Sequence, residues 1–201
     1  MEDVFSNYLE SIRRLVLTTN VELISMIKNE LLQAGKDRNT IYTIGNGISS
    51  ATSEHFANDL AKKASEHLVN HSGYRLNTII LTEPMSFVTA VANDLSLEDI
   101  FVESLKSGSR KNDLLFIFSS LKPHENIIKA ARYAKVKGLK IIAVTGMDSG
   151  ALEQFSDIYY AVKSYQPDLV ETIFIFICHY LAEVLSEELK QPDKFPKSMI
   201  V

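Results

Sequence analysis

Tryptophan is absent from this chain of 201 residues, and cysteine occurs once, at Cys178. A lone cysteine cannot close an intrachain disulfide, so the core must hold the fold, and a reducing cytoplasm suits it. In the apolar run from Ile173 to Tyr180, Cys178 reads as a small buried filler. An excess of basic residues is also lacking. With a formal charge of −4 and a pI near 5.8 there is no electrostatic footprint for nucleic acid, and Lys62-Lys63 and Arg110-Lys111 read as solvated faces. No stretch reaches roughly eighteen uninterrupted apolar residues, the length a membrane span asks for. The acidic, amphipathic start carries neither a basic n-region nor a cleavage motif, so no signal peptide and no membrane partner are expected. Repeats, low-complexity tracts and linkers are missing too. At 46% hydrophobic and 23% charged residues, the chain fits one globular domain with a sizeable core.

What is present begins at Ile41, in the run IYTIGNGISSATSEHFANDLAKK. Ile41 to Ile44 suit a buried strand, and Gly45 and Gly47 permit a tight turn. A helix starting just beyond would aim its free N–H groups at an anion held in the turn. His55 and Asp59, four residues apart, share one face of that helix. There is no G-x-G-x-x-G after the strand and no Lys-Ser/Thr ending, so nucleotide binding is not indicated. Taken alone, the turn fits a plain chain reversal as well as an anion site, and the His/Asp pair fits an ordinary hydrogen bond.

Apolar residues at helical spacing from Val4 to Leu32 predict one long amphipathic helix or a broken pair, with Gly35 as a stop. The pattern then alternates. Strands are expected at 41–44, 77–81, 114–118, 139–144 and 158–162, and helices at 49–64, 85–93, 97–107, 123–137 and 169–189. A polar stretch is expected at 66–74, and a tail follows Lys190. This alternation predicts an α/β fold, a parallel sheet with helices on both faces. Ligands of such sheets sit beyond the carboxyl ends of the strands, here the turns at 45–50, 82–84, 119–124 and 145–150.

The order and spacing of several segments resemble the SIS (sugar isomerase) domain family, and within it the phosphoheptose isomerases. They are the GNG turn with Ser49, HFA at 55–57, AVAND at 90–94, the Ser119 turn, NIIKA at 126–130, VTGMDSG at 144–150 and ICHYL at 177–181. The resemblance covers nearly the whole chain. It implies a flavodoxin-like three-layer α/β/α domain over 41–190, with a helical arm at 1–40 in the same domain and a tail at 191–201. It implies conversion of sedoheptulose 7-phosphate to D-glycero-D-manno-heptose 7-phosphate, in the cytoplasm, for lipopolysaccharide core biosynthesis. A homotetramer with sites completed at subunit interfaces is implied as well.

By the same resemblance Asp59 and His179 are the acid–base pair, and His55, Asp59, Glu171 and His179 could hold one zinc ion per site. The implied substrate contacts are Asn46, Gly47, Ile48, Ser49, Asn93, Asp94, Ser119, Ser120, Leu121, His124, Asp168 and Glu171. The residue types suit the reaction, because ketose–aldose interconversion moves a proton through an enediol and needs a base beside an acid or metal. Two geometric points qualify the set. Eight helical residues rise about 12 Å, so Glu171 and His179 cannot both reach one ion without a bend or a long side chain. Asp168 and Glu171 also spell a D-x-x-E capping box after Pro167, a structural reason for both.

Three departures from the family pattern stand out. Asp59 replaces Glu, which draws the carboxylate back by roughly 1.3–1.5 Å. Ile48 replaces a second turn glycine. The usual S-T-S-G-N-S reads Ser119 to His124 as SSLKPH, which removes two hydroxyls and a glycine from the phosphate loop. Lys122 and His124 would then supply charge at the next helix N-terminus, with Pro123 in its first turn. The competing expectation is a noncatalytic SIS-domain protein that binds a sugar phosphate or the replication initiator DnaA.

Overall fold

In the computed structural model, which describes residues 2–66, 75–82 and 85–190, the N-terminal segment is a broken pair of helices, α1 (Glu2–Leu17) and α2 (Val21–Lys36). The break has a local cause: the Asn20 side chain accepts the Leu23 N–H at 3.1 Å and caps α2. Gly35 is not the stop. It is buried inside α2, where a Cβ would meet Leu76 Cδ2 at 2.5 Å, and α2 ends at the Asp37 cap before Arg38 turns to φ 57°.

Among the described residues five parallel strands follow: β1 (Ile41–Ile44), β2 (Thr78–Ile80), β3 (Leu114–Ser119), β4 (Lys140–Thr145) and β5 (Ile158–Ala161). Their order in the sheet is β2-β1-β3-β4-β5, and β1 pairs with β3 in the register Ile41 to Leu114 through Ile44 to Ile117. The connecting helices among the described residues are α3 (Ile48–Asp59), α4 (Met85–Asp94), α5 (Ile100–Gly108), α6 (Glu125–Lys137) and α7 (Pro167–Leu189). A π-helical turn, Leu60–Ala64, extends α3, and a 3₁₀ turn, Leu97–Asp99, precedes α5. The helix expected from 123 begins at Glu125 with His124 as its N-cap, so Pro123 lies outside the first turn. Of the polar stretch at 66–74 only Glu66 is described, and the 191–201 tail lies outside the described residues.

Side chains alternate across the sheet, as period-two geometry requires. Ile41, Phe116, Phe118, Ile142 and Val144 face α2, α3 and α7, packing with Ile27, Leu31, Phe56, Phe174 and Ile177. Tyr42, Ile44, Leu115, Ile117 and Ile141 face α5 and α6, packing with Phe101, Leu105, Ile127 and Ala130. Phe56 from α3 packs its ring against Phe116 and Phe118, and Phe174 from α7 packs against Phe118, at centroid distances of 4.8 to 5.8 Å. Each buried ring contributes about 1.5–3 kcal/mol of transfer energy, so this cluster locks α3 and α7 to one another through the sheet. Helix α7 is long and apolar enough to cross a bilayer, yet its residues Leu169, Val170, Ile173, Phe174, Ile177, Leu181 and Leu185 are spent on this core.

Strand order reverses direction between β1 and β3. That switch point opens a crevice beyond the carboxyl ends of the two strands, where sheets of this order hold ligands.

Candidate active site

The first wall of the crevice is the turn after β1. A Cβ on Gly45 would sit 2.3 Å from the Ser49 carbonyl oxygen, so the helix can start this close to the strand only with glycine there. Gly47 takes φ 56° and ψ −126°, outside the reach of ordinary side chains, and serves as the N-cap of α3. Ser49 is buried, while Ile48 projects outward with 63% of its surface exposed.

From α3, His55 and Asp59 face α7 and meet His179. His55 Nε2 lies 2.8 Å from His179 Nε2 and 3.3 Å from Asp59 Oδ2, and His179 Nε2 lies 4.0 Å from the same oxygen. The imidazoles are about half exposed, so His179 is not the core histidine that its apolar helix suggests. Asp59 Oδ2 itself is buried and accepts no hydrogen bond. Two imidazole nitrogens and a carboxylate oxygen without a hydrogen-bond partner are donor types that zinc takes. All three ligand atoms lie within 4.8 Å of one another, so the group fits an ion on chemical grounds.

Glu171 is not among them. Its Oε1 accepts the Ser120 hydroxyl at 2.8 Å, two turns before His179, in keeping with the rise between the two positions. The capping box expected from Asp168 and Glu171 does not form: Gln166 is the N-cap of α7, Pro167 is its first residue, and no side chain caps it. Asp168 is an exposed acid in the first turn, suited to the helix dipole.

The loop after β3 uses part of its own polarity. Ser119 Oγ donates to the Leu121 carbonyl at 2.9 Å, and Ser149 Oγ donates to the Ser119 carbonyl at 3.1 Å. The Ser119 hydroxyl therefore keeps accepting capacity only. Leu121, Lys122 and His124 are exposed along the loop, and Asn93 and Asp94 are exposed at the end of α4. Between the two loops lies a cleft of about 440 Å³, lined by Asn46, Leu97, Glu98, His124, Glu125 and Asn126.

Two contacts here were not anticipated from the sequence. Asn126 binds Asn46 through a reciprocal pair of amide hydrogen bonds at 2.9 and 3.1 Å. Lys63, expected as a solvated face, pairs with Glu183 at 2.8 Å, one turn beyond Asp59 and His179. That bond raises the Lys63 pKa and lowers that of Glu183. The repeated spacing of four in His55, Asp59, Lys63 and in His179, Glu183 was the available signal. Behind the site, burial and then the Asp59 charge push the Cys178 thiol well above its ordinary value, so it stays protonated.

The chain is similar to known proteins over most of its length. The SIS domain profile matches residues 5–146. The phosphoheptose isomerase of Glaesserella parasuis is 32% identical over 171 residues, covering 85% of this chain and 86% of that protein. The phosphoheptose isomerase of Vibrio vulnificus is 28% identical over 172 residues, covering 85% and 87%. Among solved structures, the phosphoheptose isomerase of Neisseria gonorrhoeae superposes with a TM-score of 0.80 at 22% identity, over 92% of this chain and 96% of that one.

Proposed function

The chain belongs to the SIS domain family, and from the site it carries we propose that it is a phosphoheptose isomerase, converting sedoheptulose 7-phosphate to D-glycero-D-manno-heptose 7-phosphate. One observation carries this reading: His55 and Asp59 from α3 and His179 from α7 converge, with their ligand atoms within 4.8 Å of one another. Asp59 takes the proton from the carbon next to the carbonyl, and His179 serves the oxygen on which charge develops. His55, hydrogen-bonded to His179, orients that ring. An ion held by His55, Asp59 and His179 would polarise the carbonyl and stabilise the enediolate. Glu171, which accepts the Ser120 hydroxyl, is assigned to substrate binding in this reading.

Incubation of the purified protein with sedoheptulose 7-phosphate, followed by NMR, tests the reading. Aldose is expected to appear; its absence both with and without added zinc would sink the proposal. The exposed apolar residues Val4, Phe5 and Leu9 on α1 support self-association, and we take the assembly to be a homotetramer in the cytoplasm supplying heptose for lipopolysaccharide core.

A second reading, a noncatalytic binding protein of this fold, draws on the loop after β3, where the Ser119 hydroxyl is already committed and Leu121 is exposed. Acid–base groups at Asp59 and His179 weigh against it. Turnover separates the two.

A further inference from the structure

Asn46 and Asn126 face each other across the switch point, one from the turn after β1 and the other from the first turn of α6. Asn46 Nδ2 donates to Asn126 Oδ1 at 2.9 Å, and Asn126 Nδ2 donates back to Asn46 Oδ1 at 3.1 Å. An amide pair of this kind has two senses, related by flipping both side chains, and something must choose between them. The choice is made by the backbone. The Ile127 N–H points at Asn126 Oδ1, 2.9 Å away, which fixes oxygen at that position and, through the pair, fixes which end of Asn46 is the donor. Asn126 is buried, with 6% of its surface exposed, whereas Asn46 is half-buried and lines the 440 Å³ cleft.

We propose that Asn126 is a positioning residue that sets the orientation of the Asn46 amide for the substrate. Each polar end of Asn46 spends one hydrogen-bonding position on Asn126 and keeps one N–H and one lone pair. A donor and an acceptor side by side match a neutral hydroxyl, which both gives and receives a hydrogen bond, better than a phosphate oxygen, which only receives. Asn46, so oriented, recognises a hydroxyl of the sugar chain.

This inference rests on the isomerase reading for its substrate, and its test has one arm that does not. In Asn126→Ala the Ile127 N–H keeps a partner, the His124 carbonyl at 3.0 Å, so the variant is expected to fold. The first arm uses NMR of the Asn46 side-chain amide without ligand. Wild type should show one Nδ2 proton slowed in solvent exchange, and Asn126→Ala should remove the slowing. The second arm is kinetic: Asn126→Ala should raise KM for sedoheptulose 7-phosphate about three- to tenfold, with kcat within about twofold, the range of one lost hydrogen bond. In an Asn46→Ala background the same change should leave KM unaltered.

An Asn46 amide unaffected by Asn126→Ala overturns the proposal, as does an equal KM increase in both backgrounds. Loss of the protected amide in Asn126→Ala, together with absent wild-type turnover, would instead uphold the positioning and reject the isomerase reading.

Discussion

At the scale of residues, the site divides into groups whose partners are local and groups whose partners are remote. His55 and Asp59 were legible because an i, i+4 pair on one helix must share a face whatever the rest of the fold does. Glu171 was not. Its partner, Ser120, is 51 positions away in the chain, and the D-x-x-E spacing suggested a cap that the observed helix start at Pro167 excludes. The Asn46–Asn126 pair spans 80 positions, and its members look like turn residues until the sheet order brings their loops together. The phosphate question also belongs here. With the Ser119 hydroxyl donated to Leu121, the exposed side chains of Lys122 and His124 remain beside the N-terminus of α6. Replacing both by Ala should weaken binding of sedoheptulose 7-phosphate about tenfold, the sum of two exposed contacts with a phosphate. Unchanged affinity in a calorimetric titration would remove them from the site.

At the scale of elements, α3 and α7 matter most, because each supplies part of the proposed acid–base group and both are pinned to the sheet by the Phe56, Phe116, Phe118 and Phe174 cluster. The strand and glycine turn ahead of α3, and the strongly apolar run of α7, made these helices visible. The π-helical turn at Leu60–Ala64 has no such signature, and neither does the 3₁₀ turn ahead of α5, since both depend on what packs around them. That 3₁₀ turn is clamped to α6: Lys129 lies 3.0 Å from Glu98 and 2.9 Å from Asp99. The Ser96 hydroxyl first, and Lys129 second, lower the Asp99 pKa from its ordinary value of 3.8. A lowered carboxylate stabilises the fold above its unfolded pKa, and that contribution disappears as pH falls through the folded value. Asp99→Asn should therefore flatten the fall of Tm with acid below about pH 4. An acid limb equal to that of wild type would show that the clamp adds nothing to stability.

At the scale of the whole molecule, strand order does the assembling. The alternation of strands and helices foretold a parallel sheet with covered faces, but the β2-β1-β3-β4-β5 order decides which loops become neighbours. Surface chemistry at this scale points outward: Val4, Phe5 and Leu9 leave α1 with an apolar face that a lone chain would expose to water. Light scattering on a size-exclusion column should give four times the 22.6 kDa chain mass, and a monomer would contradict the proposed assembly.

The most direct test of the acid–base group is to run the reaction in deuterium oxide, with wild type and with Asp59→Asn. Proton transfer through an enediol exchanges with solvent, so the aldose formed by wild type should carry deuterium at the carbon beside its carbonyl. Asp59→Asn should fold normally and lose turnover by about 10²–10⁴-fold. Aldose formed at an equal rate by Asp59→Asn, or none from wild type with or without zinc, would contradict the account.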